Sequence, residues 1–267
     1  MVVAGAGGLT GLYAWNVEPN TLVVETVPVP LARLPRALNG LTIGFLSDFH
    51  VNAPVPPAHI ARAAQMLMTH APDLILLGGD YVTRSASDAR DCADALAQLA
   101  APLGVFAILG NHDYWVGHTD QIVAQLTRVG IRMLQNESVA IGAGNDRIYV
   151  IGLDDVWEKH VDLDRALAMV PDEACKIVIV HEPDFGDESA RQGIDLQLSG
   201  HSHGGQVRLP YIGAPILPYL GRQYPMGLQR AGASTWVYTT RGVGMISPGV
   251  RFNCPPEITF LKLQTSA

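Results

Sequence analysis

Hydrophobic positions along this chain fall in short runs that stop abruptly at glycine and acid. Leu74-Ile-Leu-Leu77 is unbroken and runs into Gly78-Gly79-Asp80, as expected of a strand buried on both faces that emerges into a tight turn. The same design precedes Asp48-Phe49-His50, where Leu41–Leu46 is the apolar run, and Asn111-His112-Asp113, where it is Val105–Leu109. Lys176–Val180 leads likewise to His181, and Asp195–Ser199 to Gly200-His201-Ser202-His203. Five strand ends therefore carry Asp, Asn or His, and strand carboxyl ends are where open α/β sheets place their ligand sites.

Between these runs the apolar period changes to that of a helix. Pro56-Pro57 opens a predicted helix to about His70, with Ile60, Ala63, Ala64, Leu67 and Ala71 on one face. Ser85-Ala-Ser-Asp88 reads as a capping box for a second helix that buries Ala89, Cys92, Ala93, Leu96 and Leu99. A third, around Asp120–Val129, turns Ile122, Leu126 and Val129 inward. This strand–helix–strand order favours parallel pairing through right-handed crossovers. From Ile131 the texture changes: Ile131–Leu134, Ser138–Ile141 and Arg147–Leu153 are separated only by turn residues, which predicts antiparallel hairpins. A short helix over Asp162–Val170 follows, and Gln206–Leu209, Trp236–Thr240 and Glu257–Leu263 read as strands. Val23–Val29 has the look of an edge strand closed by Pro28 and Pro30. Together these elements predict an α/β fold of two mixed sheets packed face to face with helices outside.

At 267 residues the chain is long enough for one large core, and no linker divides it. Its composition, 48% hydrophobic and 16% charged, with mean hydropathy +0.17, is apolar for a soluble protein and points to a well-covered sheet or membrane contact. A net charge of −7 gives no nucleic-acid surface. Cys92, Cys175 and Cys254 are widely spaced with no CxxC pairing, so buried thiols are expected. The first 17 residues hold four glycines and no charge, and fall short of the ~20 apolar residues of a spanning helix. Residues 1–20 are therefore taken as an apolar leader, the remnant of a secretion signal or membrane anchor, before a single domain at 21–267. A membrane-associated or exported protein is expected, with a cytoplasmic one as the alternative.

Asp, His and Asn are donors for divalent transition metals, and seven of them are too many for one ion. Two ions sharing Asp80 divide them naturally, one taking Asp48, His50 and His203, the other Asn111, His181 and His201. Two divalent cations, two carboxylates and a bridging hydroxide leave the centre at about +1, which attracts an anionic phosphoryl group. The hydroxide is the expected nucleophile of an in-line displacement. His112, adjacent in sequence to Asn111, is expected to protonate the leaving oxygen, with Asp113 orienting its ring. Arg84 and Arg241 are candidate phosphate contacts, with a solvated or structural role as the alternative. Tyr114 and Trp115 are candidates to stack on a substrate, core filling being the plainer role. The apolar, proline-rich Pro210–Leu220 stretch is a candidate acyl pocket or bilayer contact. His59, His70, His118 and His160 are read as satisfied core histidines outside the site.

Asp48-Phe-His50, Gly79-Asp80, Gly110-Asn-His-Asp113, His181 and Gly200-His-Ser-His203 together resemble the signature of the calcineurin-like metallophosphoesterase superfamily, over about residues 41–205. The blocks Gly204-Gly-Gln206, Tyr238–Gly242 and Arg251–Ile258 are similar to a bacterial subgroup of membrane-associated or exported phosphodiesterases of the YkuE/YaeI type. The resemblance implies a four-layered α/β/β/α sandwich, a dinuclear centre filled by manganese, iron, zinc, cobalt or nickel, and a preference for diesters. It leaves two other readings open. One is a pyrophosphohydrolase acting on a nucleotide-linked lipid of the UDP-diacylglucosamine type; the other is a non-catalytic metal-binding scaffold. A phosphodiester or phospholipid-like substrate is expected.

Overall fold

The structure, a computed structural model, describes residues 9–52 and 54–266. Its organising run is β3, Leu74–Leu77, in which all four residues are buried because alternate side chains face opposite layers. Leu74 and Leu76 point into the core between the two sheets, whereas Ile75 and Leu77 join the core under the helices.

The first sheet is ordered β1-β12-β2-β3-β4-β5, built from Val23–Leu31, Glu257–Thr265, Thr42–Leu46, β3, Val105–Ala107 and Arg132–Met133. It is parallel from β2 to β5 and between β1 and β12, with the one antiparallel pairing at β12–β2. The second is ordered β10-β11-β9-β8-β7-β6, from Gly227–Ala231, Thr235–Thr239, Leu196–Ser199, Cys175–Ile179, Asp146–Gly152 and Glu137–Ala143. Its centre β11-β9-β8-β7 is parallel and its edges are antiparallel. Ile43, Phe45, Phe106 and Ile108 of the first sheet meet Ile148, Val150, Ile177 and Leu198 of the second in one dry core.

Helices cover both outer faces. On the first sheet lie α1 (Pro57–Met68) and α2 (Ala89–Leu96), and beyond the short α3 (Asn111–Trp115) comes α4 (Thr119–Arg128). They bury Ile60, Ala63, Leu67, Cys92, Ile122 and Leu126 against Ile75 and Leu77. On the second sheet α5 (Leu163–Leu167) seats Ala166 on Ile151 and Val178, and α6 (Gly186–Arg191) packs Ala190 beside Val237. The predicted α/β fold of two mixed β-sheets flanked by helices, stacked α/β/β/α, is the observed one.

Four local expectations are corrected. Ile131–Leu134 forms no hairpin: β5 pairs parallel with β4, because α4 returns the chain to the first sheet. Gln206–Leu209 makes only isolated bridges, from Val207 to Phe252 and from Leu209 to Gly213, since this segment turns around the site. Pro28 and Pro30 lie inside β1, tolerated because β1 is an edge strand and its missing donors face outward. Ser85 caps only Ser87 N, at the start of a 3₁₀ turn that precedes α2, so the capping box is not formed. All three cysteines are buried and free, as expected.

Of the residues expected to form a leader, 1–8 lie outside the described residues. Residues 9–20 are helical and lie on the body: Arg251 N donates to Ala14 O at 2.9 Å, and buried Glu18 accepts from Cys254 N. No helix among the described residues is long and apolar enough to cross a membrane.

Candidate metal centre

The loops after β2, β3, β4, β8 and β9 converge at one end of the sandwich, and their backbone is unusual there. Asp48, His50, Asp80, His201 and His203 have φ of 57°, 47°, 57°, 66° and 52°. Left-handed backbone at non-glycine residues costs on the order of 1–3 kcal/mol each and persists only where the surroundings enforce it. At Asp80 the enforcing group is Asp113. Its buried carboxylate accepts from the backbone N–H of Asp80, Tyr81, Val82 and Gly110 at 2.9, 2.9, 3.2 and 3.0 Å, tying the β3 loop to the start of α3. Gly79, at φ +95°, lies so close to the β4 loop that a Cβ there would stand 2.6 Å from Gly110 N.

Side chains from both sheets then point into one space. Asp80 Oδ2 lies 3.4 Å from His50 Nε2 and 3.1 Å from His181 Nε2, midway between two imidazoles. His203 Nε2 is 3.0 Å from His50 Nε2 and 3.4 Å from Asp48 Oδ1. Three groups are able to hold a metal ion: Asp48, His50 and His203; Asp48, Asp80 and His181; and His50, Asp80 and His112, so the His112 ring nitrogen also lies within reach of the cluster. Asn111 Oδ1 is 2.9 Å from His201 Nδ1, and the His201 ring stands edge-on to His181 at 5.2 Å. All seven predicted ligands are thus brought together. His201 differs from the rest in that its other ring nitrogen meets Tyr219 O at 2.7 Å.

These residues fit a metal, and the evidence is in their unused atoms. Asp48 Oδ2 and His203 Nδ1 are buried with no hydrogen-bond partner among the described residues, which is costly for polar atoms, and His181 Nε2 faces only the Asp80 carboxylate. The outer nitrogens are held as they are around metals: His50 Nδ1 meets Thr83 Oγ1 at 2.9 Å, and His181 Nδ1 donates to Gly78 O at 2.6 Å. Burial lowers His50 to about 3 and His201 to about 4, and holds His203 well below its ordinary value. The neutral imidazole is the ligating form. Burial followed by the Asp80 charge raises Asp48 to about 6, with His181 pulling it back. Burial alone would raise Asp80 too, but His181, His50 and His112 outweigh it and hold the carboxyl well below the usual range. Burial would lower His181, yet Asp80 and Asp48 lift it well above. Positive charge is therefore favoured beside Asp80, whereas His50, His201 and His203 stay neutral.

His112 is half-buried on α3, one helical step from Asn111 and so turned away from it. Its backbone N–H donates to Asp80 Oδ1 at 2.9 Å, and its ring lies edge-on to His50 at 4.8 Å and beside Trp115 at 4.7 Å. Asp113 does not orient that ring, contrary to expectation, because all its lone pairs are committed to backbone amides. Arg241 is likewise placed elsewhere: it is bound to Glu25 Oε1 at 2.7 Å and to Glu257 Oε2 at 2.6 Å, an ion triad beneath β12. Arg84 is exposed and has no partner among the described residues. Tyr114 does not face the cleft; its hydroxyl donates to Asp154 Oδ1 and its ring stacks on His160 at 4.6 Å. His59, His70, His118 and His160 lie outside the cluster as expected, though half-buried or exposed and not in the core.

One wall was not foreseen. Trp157 stands edge-on to His201 at 5.7 Å, to Tyr219 at 5.3 Å and to Trp115 at 5.1 Å, closing one side of the site. Buried Glu182 holds it by accepting from Trp157 N at 3.3 Å. The signal was present: Arg147–Leu153 runs into Asp154-Asp155 as the other five runs end in acid or imidazole.

Comparison with known proteins places this geometry. Residues 41–205 match the family described as calcineurin-like phosphoesterase. The chain is similar to phosphodiesterase YaeI of Escherichia coli, 37% identical over 82% of this chain and 80% of that protein. It is also similar to the uncharacterized metallophosphoesterase YkuE of Bacillus subtilis, 31% identical over 98% of this chain and 92% of that one. In fold it resembles the solved structure of TT1561 of Thermus thermophilus, at 12% identity, TM-score 0.51, covering 77% of this chain and 91% of the other.

Proposed function

The chain belongs to the calcineurin-like phosphoesterase family, and from that premise we propose that it is a dinuclear-metal-dependent phosphodiesterase. The observation that carries this reading is the convergence of Asp48, His50, Asp80, His181 and His203 ligand atoms with buried lone pairs left unused. Asp48, His50 and His203 would hold one ion and Asn111, His181 and His201 the other, with Asp80 between them. Divalent ions so held would lower the pKa of a water and stabilise the oxygens of an in-line displacement.

The protein's own groups supply the rest. Asp113 fixes the Asp80 loop against the Asn111 loop, and the His201 N to Asp48 bond fixes a second pair, so these ligands are in place before substrate arrives. His112, beside the cluster and half open to the cleft, gives its proton to the leaving oxygen. The water oxygen bonds to phosphorus as water loses a proton, the bond to one alcohol breaks, that alcohol departs with the His112 proton, and the proton released by water restores His112, leaving a phosphomonoester. Arg84, free and three residues beyond Tyr81, remains a candidate substrate contact, whereas the roles proposed for Arg241 and Tyr114 are structural. Exposed Leu9, Leu12 and Trp15 on the N-terminal helix, with Tyr211 and Ile212 near the cleft, support peripheral contact with a membrane.

The test is turnover of bis-p-nitrophenyl phosphate against p-nitrophenyl phosphate and a pyrophosphate diester, after loading with manganese, iron, zinc, cobalt or nickel. Metal-dependent diester hydrolysis that chelator abolishes is expected. A metal-binding protein inert on every substrate would return the scaffold reading.

A further inference from the structure

The metal centre opens into a cavity of about 590 Å³ that has two unlike halves. Asp80, Asn111, His201 and His203 line one half. Val207, Ile216, Pro218, Ile246, Pro248 and Val250 line the other. Among the described residues no charged side chain lines that second half. Its polar groups are largely engaged with the protein itself. The Gln206 amide bonds Ile246 both ways, accepting from Ile246 N at 2.7 Å and donating to Ile246 O at 3.3 Å. Ser202 Oγ donates to Pro225 O at 2.6 Å. A sugar or a base placed there would lose its hydration without finding partners, and each such group costs on the order of 1–3 kcal/mol. An alkyl chain would lose nothing of the kind and would cover Ile216, which is 79% exposed.

Resting on the phosphodiesterase reading, we propose that the substrate is an amphiphilic phosphodiester. Its phosphate lies against the metal ligands and its alkyl or acyl chain occupies the groove between residues 205–218 and 246–250. One continuous cavity joins the two ends, so a single molecule fills it only if it carries both an anionic phosphoryl group and a chain. Ile216 and Ile246, from opposite walls, then set chain preference.

The experiment uses the metal-loaded protein and a series of p-nitrophenyl alkyl phosphodiesters from methyl to decyl, each below its micelle concentration. kcat/KM is expected to rise with every methylene that enters the groove, by up to about fourfold each, mainly through KM. Ile216→Asp and Ile246→Asp should flatten that slope, lowering the decyl-to-methyl ratio. A second readout needs no turnover: n-alkyl phosphonates should quench Trp115 and Trp157 fluorescence with affinity that grows with chain length. A flat series in a protein that hydrolyses bis-p-nitrophenyl phosphate overturns the inference and leaves the phosphodiesterase reading intact. A flat series in a dimer that Ile216→Asp dissociates assigns the groove to a second copy and overturns it too. If no diester is hydrolysed, the phosphodiesterase reading fails and the phosphonate series alone decides whether the groove takes a chain.

Discussion

At the scale of single residues, His112 and Asp113 are sequence neighbours with separable tasks. His112 touches the cleft but is not among the seven ligands, so His112→Ala should lower kcat on a diester by about 10²–10⁴-fold. Bound metal should stay within error of the parent; steady-state kinetics beside elemental analysis measures both, and matched loss of the two would make His112 a ligand. Asp113 never reaches the cleft. Asp113→Asn keeps the shape but turns an NH₂ toward two backbone N–H groups, either the Asp80 and Gly110 pair or the Tyr81 and Val82 pair. Two amides left unsatisfied should cost roughly 2–6 kcal/mol. Urea unfolding monitors this, and a change below about 1 kcal/mol would show the loops are fixed by something else.

At the scale of elements, the reason the strand ends could be read from the sequence is also the reason their geometry could not. Leu74–Leu77 announces itself because a strand covered on both faces needs an unbroken apolar run, and the acid after it stands out against that run. Nothing in the residue types says that Asp48, His50, Asp80, His201 and His203 adopt left-handed backbone; that follows from loops crossing in space, as Gly79 crosses Gly110. The errors have the same origin. Arg132–Met133 carries the polarity of a hairpin strand but is claimed by the first sheet, and Arg241 looks free until β1 brings Glu25 beside it. Trp157 was missed because its partners His201 and Tyr219 are distant in sequence. The crossing of Gly79 and Gly110 gives an element-scale prediction. Gly79→Ala adds a methyl group against the Gly110 backbone at a φ that disfavours it, so the β3 and β4 loops must separate. Stability should fall by about 1–3 kcal/mol, and metal content should fall with it while far-UV circular dichroism is retained. A variant that binds metal like the parent would mean the two loops tolerate separation.

At the scale of the molecule, the centre sits on the seam of the sandwich and is shared by both sheets. Asp48, His50, Asp80 and Asn111 follow strands of the first sheet, and His181, His201 and His203 follow strands of the second. Protein contacts already cross the seam there, from His201 N to Asp48 Oδ1 at 2.8 Å and from His181 Nδ1 to Gly78 O at 2.6 Å. They hold two buried carboxylates close together, an arrangement that repels itself unless a cation intervenes. Bound metal should therefore act as a clasp between sheets as well as a reagent. A ligand at a hundredfold excess over its Kd adds about 2.7 kcal/mol to stability, which for a domain of this size corresponds to roughly 5–10 °C in Tm. Chelation should lower Tm by that amount, and re-addition of the active ion should restore it. Hydrogen exchange should localise the effect: amides at 46–50, 78–82 and 198–203 lose protection, while α1, packed on the far face of the first sheet, keeps its own. A Tm unmoved by removal of metal shown to be present beforehand would mean that the sheets are held by their dry core alone, and that the strained loops are stable without the ions they are arranged to receive.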